Sequence, residues 1–233
     1  MMDSHRWAAG VAVPAHNEAS TVERCVASLR AALRASGAPG WIVVVADGCS
    51  DDTADRARRA LGAQGEVVEC RAMSAGRARR LGTDRLLERL ESAARDTWLA
   101  TTDADGEVPI TWLTTQLRLA DVGADAVAGV VRLDDACDPR LAGLHVASYR
   151  LDPDGTHPHV HGANLGVRAE AYVDVGGWRD LAVGEDHDLW DRLGDRGWVR
   201  LSSIESWVTT SGRCEGRAPD GFAADLAALD AAT

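Results

Sequence analysis

The chain has 233 residues, 45% of them hydrophobic, which is enough to bury the core of one large α/β domain. It contains no lysine, and its 36 acidic residues outweigh 25 arginines, giving a formal net charge of −11. This charge argues against nucleic acid as a partner, because phosphate backbones need a basic surface. The missing lysine excludes a Walker-type phosphate loop and a lysine Schiff-base enzyme.

Cysteine usage and hydropathy indicate the compartment. The five cysteines are scattered and form no C-x-x-C pair, which argues against a disulfide framework or a structural zinc site and favours the cytoplasm. Residues 1–7 are polar and the next apolar stretch is interrupted at Pro14, so we expect no signal peptide. No apolar run approaches the roughly 20 residues of a spanning helix, so we expect no transmembrane segment. The chain has eight tryptophans and one phenylalanine, and exposed tryptophans would be compatible with a homodimer interface.

The first half of the chain alternates short apolar runs with helical patterns. The apolar runs predict strands at 8–13, 41–46, 66–70, 97–102 and 126–131. Helices are predicted between them, the first opened by a capping box at Ser20-x-x-Glu23 and later ones at 76–91 and 110–122. This alternation predicts a mostly parallel sheet covered by helices on both faces. In such sheets ligands bind beyond the carboxyl ends of the strands.

The second half of the chain is less regular. Its patterns predict strands at 161–167, 198–201 and 207–210, a helix at 185–194 and a final short helix at 222–229. We therefore divide a single α/β domain into two halves, 1–131 and 132–211, followed by a C-terminal loop and helix at 212–233.

Two carboxylates, Asp103 and Asp105, follow the fourth predicted strand. On an extended segment, positions i and i+2 point the same way, so both side chains can converge on one ligand. Hard cations prefer oxygen ligands, and Mg²⁺ usually binds one or two carboxylates together with substrate phosphates. The pair therefore predicts a Mn²⁺ or Mg²⁺ cofactor that holds a nucleotide diphosphate, although it also suits a solvated acidic turn.

The first two strands also end in polar loops. The segment Pro14-Ala15-His16-Asn17-Glu18 turns across the tip of the first strand. Asp47 stands at the tip of the second, where a carboxylate can accept from a ribose hydroxyl or a base N–H, and Gly48 allows a sharp turn. Both loops are expected at the same edge of the sheet as the acidic pair.

At these loops the chain resembles the family 2 glycosyltransferases of the GT-A fold. The matching segments are V-P-A-H-N-E (13–18), V-V-A-D-G-C-S-D-D-T (44–53), D-A-D (103–105), H-G-A-N (161–164), G-G-W (176–178) and G-E-D-H-D-L-W (184–190). Together they cover roughly residues 11–199 in the family's order.

The resemblance implies a donor side. The residues expected to line the nucleotide pocket are Pro14, Ala15, Glu18, Asp47, Arg77, Arg79, Asp103 and Ala104. Among these, Asp47 would hold the base, while Arg77 and Arg79 would lie near the base or the diphosphate, although both arginines also suit a solvated helix face. Asp105, with Asp103, would bind the metal.

The resemblance also implies a catalytic and acceptor side. Inverting transfer needs a general base, and Asp186 is the candidate, with Glu185 binding or orienting the acceptor. Both acids equally suit the start of a helix. The acceptor wall would be formed by His161, Asn164 and Trp178, although His161 and Asn164 equally suit a buried strand and Trp178 equally suits core packing.

The remaining part of the metal and diphosphate site is open at the sequence level. Relatives often supply a third metal ligand near the C-terminus, but no histidine follows His187 in this chain. Either His187 serves as that ligand, or Asp105 acts with little further help from the protein. Arg213 or Arg217 could instead clamp the diphosphate with a bidentate contact.

These expectations combine into a metal-dependent glycosyltransferase that moves a sugar from a UDP- or GDP-linked donor to a hydroxyl of a small polar acceptor, with inversion. One alternative is a sugar-phosphate nucleotidyltransferase, which usually needs a basic, glycine-rich loop where this chain has residues 14–18. Another is a non-catalytic protein that binds a nucleotide sugar. A dehydrogenase fits less well, because no G-x-G-x-x-G follows any predicted strand.

Overall fold

Helices and strands alternate along most of the chain. The computed structural model describes residues 7–90, 94–134, 137–181, 183–212 and 226–228. Its strands are β1 (Ala8–Ala15), β2 (Gly40–Asp47), β3 (Gly65–Cys70), β4 (Thr97–Thr101), β5 (Ala126–Leu133), β6 (Leu165–Arg168) and β7 (Arg200–Thr210). Its helices are α1 (Val22–Ser36), α2 (Thr53–Leu61), α3 (Ala75–Arg89), α4 (Trp112–Asp121), α5 (Pro139–Ser148), α6 (Ala169–Asp174) and α7 (Glu185–Asp195).

The strands form one sheet in the order β3-β2-β1-β4-β6-β5-β7. Strand β1 pairs in parallel with β2 and β4, and β2 pairs in parallel with β3. Only β6 is antiparallel to its neighbours, β4 and β5, while β7 is parallel to β5. The carboxyl ends of β1, β2 and β4 therefore meet at one edge. The predicted mostly parallel sheet is confirmed, and both halves of the chain contribute strands to it.

Two hydrophobic cores cover the two faces of this sheet. Along β2, Ile42 and Val44 join the core beneath α1 and α4, whereas Val43 and Val45 join the core beneath α3 and α7. All four side chains are fully buried. Because successive side chains of a strand point to opposite faces, this continuous apolar run is what a strand covered on both sides requires. Each such burial contributes about 1.5–3 kcal/mol.

The start of α1 differs from the prediction. The helix begins at Val22, with Thr21 at the N-cap position and no capping bond from its side chain. Instead, the Thr21 hydroxyl donates to the Glu18 carboxylate over 2.9 Å. The predicted capping box of Ser20 and Glu23 is therefore not formed: the N-cap lies one residue later than predicted, and its hydroxyl binds Glu18 of the preceding loop.

The last strand also differs from the prediction. Where two short strands were expected, β7 is a single strand that pairs with β5 through a shift in register after Gly129. A Cβ atom at Gly129 would lie 2.3 Å from the Ser206 carbonyl oxygen, so only glycine permits this close approach. Within the described ranges, no helix is long and apolar enough to cross a bilayer. The predicted helix at 222–229 falls largely outside those ranges.

Candidate active site

The acidic pair lies in a tight turn at the carboxyl end of β4. The Gly106 N–H donates to the Asp103 carbonyl over 3.3 Å, so residues 103–106 turn and do not continue the strand. The expectation that an extended segment aligns Asp103 and Asp105 is therefore wrong. Both acids nevertheless lie close enough to the buried thiol of Cys25 to raise its pKa. Burial is the largest cause of that rise, followed by the charges of Asp105 and Asp103. Ala104 between them is buried in the core.

Strand β7 fixes this acidic turn from one side. Glu107 and Thr209 exchange two backbone hydrogen bonds of 2.9 Å each. A Cβ atom at Gly106 would lie 2.4 Å from the Thr209 carbonyl oxygen, so the turn packs directly against β7. The Thr210 hydroxyl donates to the Asp105 carboxylate over 3.3 Å. These contacts hold Asp105 in place against β7.

Arg79 of α3 connects the acidic turn to α7. Its side chain is buried, with the residue only 4% exposed. Of its two terminal guanidinium nitrogens, Nη2 binds Asp103 over 2.6 Å and Nη1 binds Glu185. Gly162 stands over the guanidinium carbon, where an added Cβ would lie 2.7 Å away, and the Trp178 ring lies 5.8 Å from that carbon. Burial lowers the pKa of Arg79, but the surrounding carboxylates outweigh it and raise the pKa overall.

Asp186 stands in the first turn of α7, after Gly184 in the left-handed conformation. Its carboxylate accepts from the Gly162 N–H over 2.7 Å and from the His187 N–H over 2.8 Å. His161 lies beside it, and burial lowers the pKa of His161 to about 4 although Asp186 opposes the shift. The structure thus brings Asp186, His161 and, through Arg79, the acidic turn to one region.

Asp47 organises the segment that leads into α3. Its carboxylate accepts from the backbone N–H groups of Ala72, Met73 and Ser74 over 2.6, 2.9 and 3.1 Å. The Ser74 side chain in turn caps α3 by accepting from the Arg77 N–H. Asp47 is only 6% exposed, so three backbone donors already occupy the carboxylate that was predicted to hold the base.

The loops after β1 and β2 are locked together. The Asn17 carboxamide accepts from the Ser50 N–H over 2.8 Å. The Glu18 N–H donates to the Thr53 hydroxyl over 2.7 Å, and the Glu18 side chain is buried. These bonds make the two strand tips one continuous surface beside the acidic turn.

The other predicted nucleotide-pocket residues lie in different settings. Pro14 and Ala15 are the last two residues of β1, the first half-buried and the second buried. Arg77 is exposed and forms an ion pair with Asp180 over 2.5 Å. Arg213 lies outside the described residues.

The predicted acceptor wall is mostly interior. Asn164 is fully buried: its carboxamide accepts from the Trp112 indole over 2.9 Å and donates to the Val130 and Ser206 carbonyls over 2.9 and 3.1 Å. Trp178 is 2% exposed and packs in the core beneath α3 and α7. Because neither side chain presents a free face, the predicted acceptor contacts of Asn164 and Trp178 are not formed by this arrangement.

Comparison with known proteins identifies the family. The family model for glycosyl transferase family 2 matches residues 10–172, more than half of the chain. The chain belongs to glycosyl transferase family 2. The predicted family is thereby confirmed, and no curated protein matches the chain.

Solved structures show that this family 2 chain has the GT-A fold, as predicted. It covers 94% of its length on a mannosyltransferase, PcManGT from Pyrobaculum calidifontis, solved with GDP-Man and Mn²⁺ (68% of that chain, 18% identity, TM-score 0.64). It also resembles S. aureus TarS 1–349 (13% identity, TM-score 0.63) and a longer TarS structure (14%, 0.64), covering 88% of its own length in each case. The chain spans 60% and 36% of those two TarS chains.

The predicted divalent cation can be tested against the donor atoms present. In the part of the chain that the structure describes, no three His, Cys, Asp or Glu side chains are grouped as metal ligands. The predicted set of Asp103, Asp105 and His187 is therefore not assembled, and His187 is exposed at the start of α7. Two carboxylates on one turn remain, and this all-oxygen donor set fits a hard cation that shares its coordination with a diphosphate.

A ring cluster on the acceptor side was not singled out by the sequence analysis. Tyr149 packs against His145, His157, His159 and His161, with ring centroids 4.5–6.5 Å away. Its hydroxyl lies 3.0 Å from the Nε2 atom of His161. The alternating H-x-H-x-H pattern at 157–161 was the available signal, because alternate residues of an extended segment share one face.

Proposed function

We propose that the chain is a metal-dependent glycosyltransferase that moves a sugar from a nucleoside diphosphate donor to a hydroxyl of a small polar acceptor. The observation that carries this proposal is the Arg79 bridge. One buried guanidinium binds Asp103 of the donor-side turn and Glu185 next to the candidate base, Asp186. This bridge supports a site in which the acidic turn and the candidate base act together.

On the donor side, Asp103 and Asp105 would hold Mn²⁺ or Mg²⁺. When bound, such an ion neutralises the charge that develops on the departing nucleoside diphosphate. The PcManGT complex with GDP-Man and Mn²⁺ supports a nucleotide-sugar donor and a divalent ion for a chain of this fold. The interlocked loops after β1 and β2 would form the floor beneath the nucleotide, with the buried Asp47 and Glu18 supporting that floor.

On the acceptor side, Asp186 would act as the general base. The acceptor hydroxyl oxygen forms a bond to the anomeric carbon while the bond from that carbon to the diphosphate breaks. The hydroxyl proton passes to the Asp186 carboxylate, and attack opposite the leaving group inverts the configuration. Two backbone N–H groups, from Gly162 and His187, hold this carboxylate in place.

The test is transfer activity of Asp186→Asn measured beside donor binding. A screen of UDP- and GDP-sugars with Mn²⁺ or Mg²⁺, read by release of nucleoside diphosphate, identifies the donor. Asp186→Asn should then lower turnover by about 10²–10⁴, the usual contribution of a general base, and leave calorimetric donor affinity unchanged. Asp191→Asn is the matched control, because this acid on the same helix is 74% exposed. Wild-type turnover in Asp186→Asn would remove the base assignment.

The same screen, extended to nucleoside triphosphates with sugar phosphates and read also by release of pyrophosphate, separates the alternatives by product. Release of pyrophosphate from a nucleoside triphosphate would point to a sugar-phosphate nucleotidyltransferase. Donor binding without any release of nucleoside diphosphate would point to a non-catalytic protein. The proposal predicts metal-dependent release of nucleoside diphosphate that rises when a suitable acceptor is added.

A further inference from the structure

The Tyr149 hydroxyl sits between strand β5 and His161. It accepts from the Val131 N–H over 2.9 Å and lies 3.0 Å from the His161 Nε2 atom. Val131 is also fixed by its carbonyl, which accepts from the Nε2–H of His145 over 3.0 Å. The His145 ring meets Tyr149 edge-on, at 5.0 Å and 89°. Two contacts to one buried strand residue thus hold the tyrosine hydroxyl in a defined place.

These contacts determine where the hydroxyl proton goes. A hydroxyl has one proton to donate and two lone pairs that accept. One lone pair of Tyr149 is used by the Val131 N–H. If His161 also donated to this oxygen, the Tyr149 proton would be left without an acceptor among the described residues, which is unfavourable for a half-buried hydroxyl. The satisfied arrangement has Tyr149 donating to Nε2 of His161.

The tautomer of His161 follows from that bond. A neutral imidazole carries one proton, so Nε2 as acceptor places the proton on Nδ1. Burial, with the neighbouring histidines, lowers the pKa of His161 to about 4, so the ring is neutral near pH 7. The adjacent Gly162 N–H binds the Asp186 carboxylate over 2.7 Å, which places this imidazole beside the candidate base.

We propose that Tyr149 is a positioning residue that fixes His161 as the Nδ1–H tautomer beside Asp186. This inference rests on the proposed function of Asp186. A neutral ring nitrogen that already carries a proton cannot take another from the acceptor, so the acceptor proton goes to Asp186. With its proton on Nδ1, the ring is a hydrogen-bond donor at that atom, beside the candidate base. The stacked ring of His159, 6.1 Å from His161 and 7° from parallel, limits rotation of that donor.

The test compares the two tyrosines of the chain. Tyr149→Phe removes the hydroxyl and keeps the ring. Tyr172→Phe is the matched control, because its buried hydroxyl also accepts from one backbone N–H, that of Trp178 over 3.2 Å. We expect Tyr149→Phe to lower kcat by about three- to tenfold, the value of one neutral hydrogen bond, with the donor KM unchanged. Tyr172→Phe should keep the wild-type kcat.

Nitrogen-15 NMR of the histidine rings gives a readout that a merely structural role would not move. In the wild-type protein, His161 should be protonated at Nδ1 and not at Nε2. In Tyr149→Phe the ring should become a mixture of both neutral tautomers. His161→Asn keeps an N–H donor near the Nδ1 position, so adding Tyr149→Phe to it should cost no further activity.

The outcomes separate this inference from the proposed function. A wild-type chain that releases no nucleoside diphosphate from any donor removes the proposed function, while the NMR measurement, which needs no substrate, still decides the tautomer. Protonation of wild-type His161 at Nε2 would overturn the role of Tyr149. Wild-type kcat in Tyr149→Phe, or the same loss in the presence and absence of His161, would overturn it as well.

Discussion

Replacing Arg79 by methionine tests the buried ion pairs that connect the acidic turn to α7. The Arg79 side chain is 5% exposed and that of its partner Glu185 is 10% exposed, whereas its other partner, Asp103, is 37% exposed. Removing the guanidinium leaves Glu185 as a buried charge without its partner, while water can solvate Asp103. Breaking a buried ion pair on one side costs about 3–5 kcal/mol. We therefore expect Arg79→Met to lower the free energy of unfolding by about that amount.

A second variant tests whether the loss in the free energy of unfolding comes from the buried charge of Glu185. In Arg79→Met/Glu185→Gln the buried charge is absent, so the double variant should recover about half of the lost stability or more. Arg77→Met is the matched control on the same helix. Its ion pair with Asp180 joins side chains that are 55% and 54% exposed, and such pairs contribute about 1 kcal/mol or less.

Urea unfolding followed by circular dichroism measures all three variants. The comparison is valid where the dependence on urea keeps its slope and only the midpoint moves. A loss in Arg79→Met no larger than that in Arg77→Met would refute the reasoning. So would a double variant that is no more stable than Arg79→Met, because the cost would then not come from the buried Glu185 carboxylate.

Two further predictions concern the same region. Gly162→Ala places a Cβ 2.7 Å from the guanidinium carbon of Arg79, which two ion pairs hold in place, so it should destabilise the protein by about 1–3 kcal/mol. Gly143→Ala is the control, because a Cβ there meets nothing within 4 Å and should not destabilise the protein. Equal melting temperatures of the two variants in differential scanning calorimetry would contradict this prediction. The pKa of His161 is near 4 in the folded chain and 6.5 in the unfolded chain, so the unfolded chain binds more protons between these values and stability falls as the pH drops through them. Urea unfolding should show that the free energy of unfolding falls by about 2 kcal/mol between pH 7.5 and pH 5 because of this residue, and His161→Gln should reduce that loss. An unchanged pH dependence in His161→Gln would count against the buried neutral imidazole.

The edge of the sheet at which the candidate site lies could be predicted from the sequence. Continuous apolar runs such as that of β2 indicate strands covered on both faces, and parallel strands place their carboxyl ends together. The acidic and polar residues after β1, β2 and β4 therefore had to meet. The matched segments, from V-P-A-H-N-E to G-E-D-H-D-L-W, also indicated the family.

What each polar side chain contacts could not be predicted in the same way. Arg77 and Arg79 are two residues apart on α3 and have the same chemistry, yet Arg77 is exposed and Arg79 is buried between two carboxylates. Only the packing of α3 against α7 and the turn at Gly162 decides between them. Asp47 likewise accepts from a segment 25–27 residues later, and a local pattern carries no information about that contact.

The Tyr149–His161 contact shows a similar limit. It depends on the register of β5, which places the Val131 N–H beside a tyrosine 18 residues later in the chain. The histidine pattern at 157–161 indicated a shared face but not the tyrosine that the face would meet. The burial of Asn164 and Trp178 shows a related limit: a polar or aromatic residue in a family motif can equally support the interior.

The most direct test of the whole account is calorimetric titration of UDP and GDP into the wild-type chain and Asp105→Asn, with and without Mn²⁺. We predict that one nucleoside diphosphate binds the wild-type chain at least about tenfold more tightly with Mn²⁺, and that Asp105→Asn removes this gain. Binding that ignores both the ion and the substitution, or no binding of either nucleotide, would contradict the claim that the acidic turn holds a diphosphate through a divalent cation.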